Sequence, residues 1–205
     1  MTEKEKNVKS MVMLGDIASV TVGQILTRVI SKSDDGKVVP VLQTKAVTAG
    51  IINKEDLGQA VLSKDVDEDK YTREGDIVIK LSTPYDAAYV TADMAGLVIP
   101  SFCAAIRVTK KDMIDAKYLS AFLNTGYVKE QLLSKVVGSA KPMIKISDIR
   151  ELNVPTGLDG DMKDIGEAYM LSGKKRLLLS EMIRTEEKLM ENIVLASVKE
   201  VADHE

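Results

Sequence analysis

Side chains able to do bond-making chemistry are scarce in this sequence of 205 residues. The single histidine, His204, lies at the end of the chain, and the single cysteine, Cys103, lies in an apolar run from Ile99 to Val108. Without another histidine, catalytic triads and histidine-based zinc sites are unavailable. A cysteine in an apolar strand is typical of a buried small hydrophobe rather than a nucleophile. We therefore expect a protein that is not an enzyme and that binds no metal or cofactor of its own.

Two loop segments carry side chains suited to contacting nucleic acid. The first is the segment 137–142, which lies in the densest local excess of basic residues. Its candidate contacts to phosphate oxygens or base edges are Ser139, Lys141 and the nearby Lys145. The second is a loop rich in hydroxyl groups after an apolar strand, and its candidates are Lys80, Ser82, Thr83 and Tyr85. The alternative for each loop is an ordinary solvated turn.

Charge and composition limit which partners the chain attracts. The net charge is −3 with a pI of about 5.4, so the chain as a whole does not attract DNA or an anionic membrane. DNA binding would require a local basic patch or a basic partner. No apolar run approaches the roughly 20 residues needed to span a bilayer, and no apolar segment follows the charged start as in a secretory signal. With a single cysteine, these features favour the cytoplasm.

Short strands separated by turns fill the first three quarters of the chain. The clearest is Arg73 to Leu81, where a Gly-Asp turn opens the apolar run Ile77-Val-Ile79. The pattern becomes helical after Asp112, with Asp115 as a candidate N-cap, and a short strand is expected at Ile144 to Ile146. The spacing predicts an α+β fold: a charged tail over 1–10, a β-rich module with short helices over 11–160, and a long helix over 161–205.

The long helix carries an interrupted apolar stripe. Between Asp164 and Ala196 it would extend roughly 50 Å at about 1.5 Å per residue. A helix of this kind rarely completes a core by itself, and we expect it to pair with a partner helix. The residues expected at that pairing are Ile165, Tyr169, Leu179, Ile183, Met190 and Ile193. The alternative is that the helix folds back onto its own module.

Several short motifs follow one another in a recognisable order and spacing. They are an opening Leu14-Gly-Asp-Ile17 with Gly23, a strand–Gly–Ile turn over 47–52, a glycine–aspartate strand over 73–79, a strand over 101–107, and a segment from Tyr118 through Gly138 and Ile144 to Val154-Pro155. Together they resemble a target recognition domain of a type I restriction–modification specificity subunit. The chain departs from the pattern at Thr156 to Gly160, where family members usually have more prolines and a Glu-Gln pair. The chain also has one recognition domain and one spacer helix, whereas the family subunit has two of each.

The resemblance implies a non-catalytic DNA recognition component. In that family, each recognition domain reads part of a split DNA site, and paired antiparallel helices set the distance between the parts. The subunit docks methyltransferase subunits, which bind S-adenosylmethionine. A chain with one domain would serve as a half-subunit, and a homodimer of such chains would prefer a split palindrome.

Two other functions remain open from the residues alone. The segment Ser82-Thr-Pro-Tyr85 resembles the Asn-Pro-Pro-Tyr box of amino-methyltransferases, but the chain lacks a glycine-rich cofactor turn and an alternating βαβ order. An adaptor or regulatory dimer that binds methyltransferase subunits without its own DNA specificity is the stronger alternative. It is favoured by the acidic pI and by the missing Glu-Gln pair.

Overall fold

The structure, a computed structural model, describes residues 10–31, 36–136, 143–157 and 159–202. The strands are β1 (Ser10–Met13), β2 (Ala18–Val22), β3 (Lys37–Val41), β4 (Gly58–Leu62), β5 (Ile77–Lys80), β6 (Ala87–Tyr89), β7 (Cys103–Val108) and β8 (Asn153–Thr156). The α-helices are α1 (Leu14–Ile17), α2 (Ala116–Leu123), α3 (Gly126–Val136), α4 (Ile146–Arg150) and α5 (Asp159–Ala202). The predicted α+β class, with a β-rich part followed by one long helix, is confirmed.

A four-stranded antiparallel sheet in the order β2-β7-β5-β6 organises the module. The apolar run in β5 is buried on both faces of this sheet because successive side chains of a strand point to opposite sides. Ile77 and Ile79 belong to a core cluster that includes side chains of α2, α3 and α4. Val78 belongs to a second cluster on the other face, together with Cys103 of β7.

Two smaller antiparallel sheets complete the β structure. Strands β3 and β4 pair with each other, and Pro40 stands opposite Gln59 in a sheet of only two strands. Proline is tolerated in such a strand because it cannot donate to a ladder and is therefore confined to strand edges. Strands β1 and β8 pair near the start of α5, with Ser10 opposite Thr156.

Several local predictions are confirmed. Asp115 caps α2, and its carboxylate accepts the backbone N–H of Tyr118 at 2.9 Å. The bend at Gly50 forms where Val47 and Ile52 bridge, and Gly50 adopts a φ of 99° that favours glycine. The helical pattern is interrupted after Leu123, as expected, and resumes at Gly126.

Three predictions of local structure are wrong. The apolar pattern from Met11 to Val22 predicts a strand, but Leu14–Ile17 form one helical turn, and the Leu14 N–H donates to Leu152 O at 2.8 Å. The apolar run from Leu97 to Val108 predicts one strand, which begins only at Cys103. The strand predicted at Ile144 to Ile146 is a single bridge at Met143 followed by α4, and the N-cap of α4 is Lys145 rather than Ser147, which the sequence suggests. Asp148 stabilises that turn by accepting the N–H of Lys145 at 2.7 Å.

The chain divides into two compact units, residues 1–170 and 171–205. The first three turns of α5 belong to the first unit. Met162 is buried in the same core cluster as Ile77, and Met170 is also buried. A Cβ added to Gly166 would lie 2.7 Å from the backbone nitrogen of Tyr118, so α5 approaches the start of α2 very closely. This part of the helix packs on its own module, as the folding-back alternative had it.

Candidate nucleic-acid interface

The loop after β5 contacts the residues that follow segment 137–142. Ser82, directly after β5, forms an antiparallel bridge with Met143, and Ile144 N–H donates to Leu81 O at 2.9 Å. The first loop therefore holds the residue that follows segment 137–142. Ser139 and Lys141 lie outside the described residues. The structure thus brings Ser82 next to Met143, the first described residue after that segment.

Lys80 forms an ion pair with Asp86, which was not among the candidates chosen from the sequence. Asp86 accepts from Lys80 Nζ at 3.1 Å and from Lys129 Nζ at 2.6 Å. The side chains of Lys80 and Asp86 are only 12% and 15% exposed. Lys80 is therefore held inside a charged group of three, and its charge is largely neutralised before any phosphate approaches. Asp86 directly follows the Ser-Thr-Pro-Tyr segment, so an acid next to the candidate lysine could have been noticed in the sequence.

Tyr85 requires a correction. Its side chain is 2% exposed and belongs to the core cluster, so its ring supports the loop from beneath instead of facing a DNA groove. Its hydroxyl is buried, and no hydrogen-bond partner for it is present among the described residues. Its backbone φ of 56° is in the left-handed region, which is costly for a bulky residue. The loop closes through Tyr85 N–H, which donates to Ser82 O at 2.9 Å.

Asn124 fixes the other end of this loop. Its side-chain nitrogen donates to Ala87 O at 2.7 Å, and its side-chain oxygen accepts from Ala87 N–H at 3.1 Å. The same nitrogen donates to Ser120 O, and Asn124 also ends α2. Asn124 therefore has two roles, since it ends α2 and joins that helix to β6.

Other basic residues near the loops are partly engaged. Lys145 is exposed at the start of α4. Lys135 pairs with Glu151 at 3.1 Å, and both side chains are about half exposed. The Arg150 guanidinium donates to Val20 O at 3.1 Å. The basic excess seen in the sequence is therefore reduced in the fold, with Lys145 the most accessible of the described candidates.

An exposed aromatic residue lies apart from these loops. Phe102 is 57% exposed and lies within a tight turn in which Cys103 N–H donates to Pro100 O. Its carbonyl accepts from Leu81 N–H at 2.9 Å, but Phe102 lines a cleft with Leu26, Thr44 and Gly58 rather than with Ser82. Sequence reasoning missed Phe102 because the surrounding run is apolar and predicted a continuous strand.

A buried ion pair lies on the opposite side of β5. The Arg107 Nε donates to Asp76 Oδ1 at 3.1 Å, and Arg107 also donates to Tyr71 O at 2.8 Å. Burial raises the pKa of the Asp76 carboxyl above its ordinary 3.8, against the opposing hydrogen bond from Arg107. A cleft of about 340 Å³ beside this pair is lined by both acids and bases. Because Asp76 and Arg107 are bound to each other, we interpret the pair as structural rather than catalytic.

Within the described residues, the cysteine is unreactive and a cluster of metal-binding side chains is absent. Cys103 is fully buried, and burial raises the pKa of its thiol to about 12. The described ranges contain no cluster of three or more His, Cys, Asp or Glu side chains placed to hold a metal ion. Nor does any helix in those ranges have the length and apolar character to cross a membrane.

The residues predicted for helix pairing divide into two groups. Tyr169 is half-buried, and a Cβ added to Gly50 would lie 2.8 Å from its Cε1 atom, so this ring packs within its own module. The other five have exposed side chains, namely Ile165, Leu179, Ile183, Met190 and Ile193. Exposed large apolar side chains grouped on one helix mark an interaction surface.

Comparison with known proteins finds likeness in structure but not in sequence. Scans against family models and curated protein sequences give no match. The HsdS subunit of Thermoanaerobacter tengcongensis is similar with a TM-score of 0.63 and 18% identity, over 91% of this chain and 48% of that one. A chain from a study of complex assembly and conformational transition in the type I R-M system is similar with a TM-score of 0.63 and 18% identity, over 93% and 49%.

A third similar structure is the type I restriction–modification S subunit of M. genitalium, with a TM-score of 0.52 and 14% identity, over 92% of this chain and 45% of that one. The chain thus spans about half the length of each of these proteins. At such identities the likeness concerns the fold. The resemblance inferred from the sequence motifs is confirmed at that level: the chain has the fold of one half of a type I restriction–modification specificity subunit.

Proposed function

We propose that this chain is a non-catalytic recognition component of a type I restriction–modification system. Its module reads one half of a split DNA site, and the chain docks methyltransferase subunits, which bring S-adenosylmethionine. It acts in the cytoplasm as a homodimer. The observation that supports this most is the likeness of fold to three specificity subunits over at least 91% of the chain.

The loop cluster of Ser82, Thr83 and Met143 is the described part of the proposed DNA-reading surface, and Ser139, Lys141 and Lys145 are its further candidates. Serine and threonine hydroxyls suit phosphate oxygens and base edges, and a lysine ammonium suits phosphate. The cluster stands on β5 and β7, whose burial on both faces makes it rigid. Rigid support lets loop side chains hold one geometry for recognition.

An adaptor dimer without its own DNA specificity is the second candidate. The engagement of basic side chains favours it, because Asp86 binds Lys80 and Lys129 while Glu151 binds Lys135. The net charge of −3 acts in the same direction. Under this alternative the chain would bind methyltransferase subunits and leave DNA binding to them.

The two candidates are separated by recovering the chain's cellular partners and then measuring DNA binding. An adenine methyltransferase identified by mass spectrometry after pull-down supports both. Retention on duplex DNA that falls steeply with salt supports the first alone, because phosphate contacts release counterions. Lys141→Ala is expected to weaken that binding, with Lys64→Ala, an exposed lysine elsewhere on the module, as the matched control.

If Lys141→Ala leaves DNA binding unchanged, segment 137–142 does not contribute to the DNA interface. Recovery of the chain alone, with no DNA retention at low salt, would contradict the proposed function and leave an orphan adaptor.

A further inference from the structure

A cleft of about 290 Å³ lies between the β3–β4 sheet and the turn that precedes β7. Its apolar walls come from Leu26, Ile30, Val41, Ala60, Pro100 and Phe102. The turn is joined to the end of β5, because Leu81 N–H donates to Phe102 O. The cleft is therefore at the same end of the four-stranded sheet as the loop after β5, although none of the residues proposed to read duplex DNA lines it.

Phe102 provides a fixed aromatic surface at this cleft. Its backbone is held on both sides, since its carbonyl accepts from Leu81 N–H at 2.9 Å and Cys103 N–H closes the turn to Pro100 O at 2.9 Å. Its side chain is nonetheless 57% exposed. An exposed aromatic ring on a fixed backbone suits stacking, and every nucleobase has a face that stacks on such a ring. The cleft therefore offers one wall to a planar ligand.

A side-chain amide also lines the cleft and is held in position. Gln43 lies along the backbone of Gly58, since a Cβ added to that glycine would collide with Gln43 Nε2 and would lie 3.1 Å from its Cδ. The amide forms no hydrogen bond with the residues that the structure describes, so its donor and its acceptor are available to a ligand. Thr44, by contrast, is a hydrogen-bond partner of the Cys103 thiol.

A planar ligand with a donor next to an acceptor fits these two groups. A glutamine amide pairs in this way with adenine, through the adenine amino group and a neighbouring ring nitrogen. A base within a duplex exposes only its edges in the grooves, whereas a base that stacks on a protein side chain has left the stack. A ligand that contacts both Phe102 and Gln43 is therefore an unpaired base.

Charge favours a nucleic acid over a charged peptide as the occupant. Every described side chain that lines the cleft is uncharged. Arg28 lies in the turn between the lining residues Leu26 and Ile30, is exposed, and forms no ion pair with an acid in the described ranges. An unpaired cation next to an uncharged cleft suits the phosphate that accompanies a nucleobase.

From these observations we propose that the cleft binds an unpaired nucleobase, with Phe102 stacking on its ring and the Gln43 amide pairing with an adenine edge. Arg28 contacts the adjoining phosphate, and Gly58 is a positioning residue for Gln43. This site is additional to the proposed reading of duplex DNA. Because it is tested on single strands, its failure leaves the test of duplex binding unaffected.

The test measures binding of the full chain to labelled single-stranded DNA octamers by fluorescence anisotropy at low salt. The all-adenine octamer should bind, and an octamer of abasic sites with the same phosphates should bind at least ~5-fold more weakly. Phe102→Ala should weaken binding of the adenine octamer by a similar factor, whereas Phe102→Trp should retain it. Tyr127→Ala, which removes a ring that is 59% exposed on α3, is the matched control and should change little.

Base selectivity tests the amide separately from the ring. An octamer of purine, which lacks the adenine amino group, should bind the unaltered chain about 5-fold more weakly than the adenine octamer. Gln43→Met keeps the length of the side chain without its amide and should lose this selectivity. Gly58→Ala should lose it as well, because the added methyl group displaces the amide. Both variants should still bind adenine octamers more tightly than abasic ones, and circular dichroism verifies that each is folded.

Arg28→Ala tests the phosphate contact. It should weaken binding of the adenine, purine and abasic octamers alike and reduce the slope of log K against log salt by about 1. Lys64→Ala, an exposed lysine elsewhere on the module, is the control and should leave the slope nearly unchanged.

Equal binding of adenine and abasic octamers would overturn the proposal, as would a Phe102→Ala chain that binds like Tyr127→Ala. Either result would leave an apolar protein segment as the candidate occupant of the cleft. Selectivity against purine that persists in both Gln43→Met and Gly58→Ala would overturn the role of the amide.

Discussion

Ser82 and Met143 lie opposite each other in an antiparallel bridge, although 61 positions separate them in the chain. This contact joins the loop after β5 to Met143, the residue that follows segment 137–142. It is reinforced by Ile144 N–H, which donates to Leu81 O at 2.9 Å. A DNA-reading site with this construction would respond to changes in the residues that hold the loops as well as in the residues that face solvent.

Removing the acid that neutralises the lysines should strengthen DNA binding. Asp86→Asn removes the charge that pairs with Lys80 and Lys129, and two cations become available to phosphate. We expect tighter binding to duplex DNA and a slope of log K against log salt steeper by about 1 to 2. Filter binding across a salt series measures both. Asp112→Asn, which alters an exposed acid elsewhere on the module, is the control and should leave the slope nearly unchanged.

The same substitution should also lower the free energy of unfolding, by about 2 kcal/mol, because two partly buried lysines lose their counter-charge. Urea denaturation measures this loss. DNA affinity that falls in a fully folded Asp86→Asn chain would show that the two lysines do not lie at the DNA interface.

Asn124 should be important for stability although it is polar. Asn124→Ala removes the two side-chain hydrogen bonds to Ala87 and one to Ser120, and it leaves partly buried backbone groups without partners. The free energy of unfolding should fall by about 2 kcal/mol, as judged by the midpoint of urea denaturation. Asn192→Ala, on the exposed surface of α5, should change it little. Equal stability of the two variants would contradict the joining role of Asn124.

The buried Asp76 carboxyl should make stability depend on pH in a defined direction. Its pKa is raised above 3.8 by burial, so the folded state holds this proton more tightly than the unfolded state does. The resulting stabilisation is present in full below pH 3.8 and is lost as pH rises through the folded-state pKa. Compared with Asp76→Asn, the unaltered chain should therefore lose relative stability across that window.

Denaturation of both chains at several pH values measures this difference, and carbon-detected NMR titration locates the Asp76 pKa directly. A pKa at or below 3.8 would mean that the ion pair with Arg107 outweighs burial.

Cys103 should resist thiol reagents in the folded chain. Its side chain is fully buried and its pKa is raised to about 12, so almost no thiolate is present at pH 8. Reaction with a chromogenic disulfide should be slow in buffer and fast in denaturant. Ser63→Cys, at an exposed position, should react at once and verifies the reagent. Rapid reaction of the native chain would mean that the sheet opens around β7.

Local features of this protein were readable from the sequence because they depend on neighbouring residues. The cap at Asp115, the bend at Gly50, the buried strand at Ile77 and the long terminal helix each arise from short-range pattern or propensity. The likeness to the specificity-subunit fold was also visible, because the order of such local motifs is itself information.

Tertiary structure decided which of those residues remain available. Tyr85 and Lys80 stand in the same loop as Ser82, yet the ring is enclosed by the core and the ammonium is held by Asp86. Short sequence windows contain no information about Ser82 and Met143 meeting or about Tyr169 packing near Gly50. The physical reason is that burial and charge pairing depend on residues distant in the chain. A sequence pattern can therefore predict a candidate surface, but only the tertiary structure determines which of its side chains are exposed to solvent.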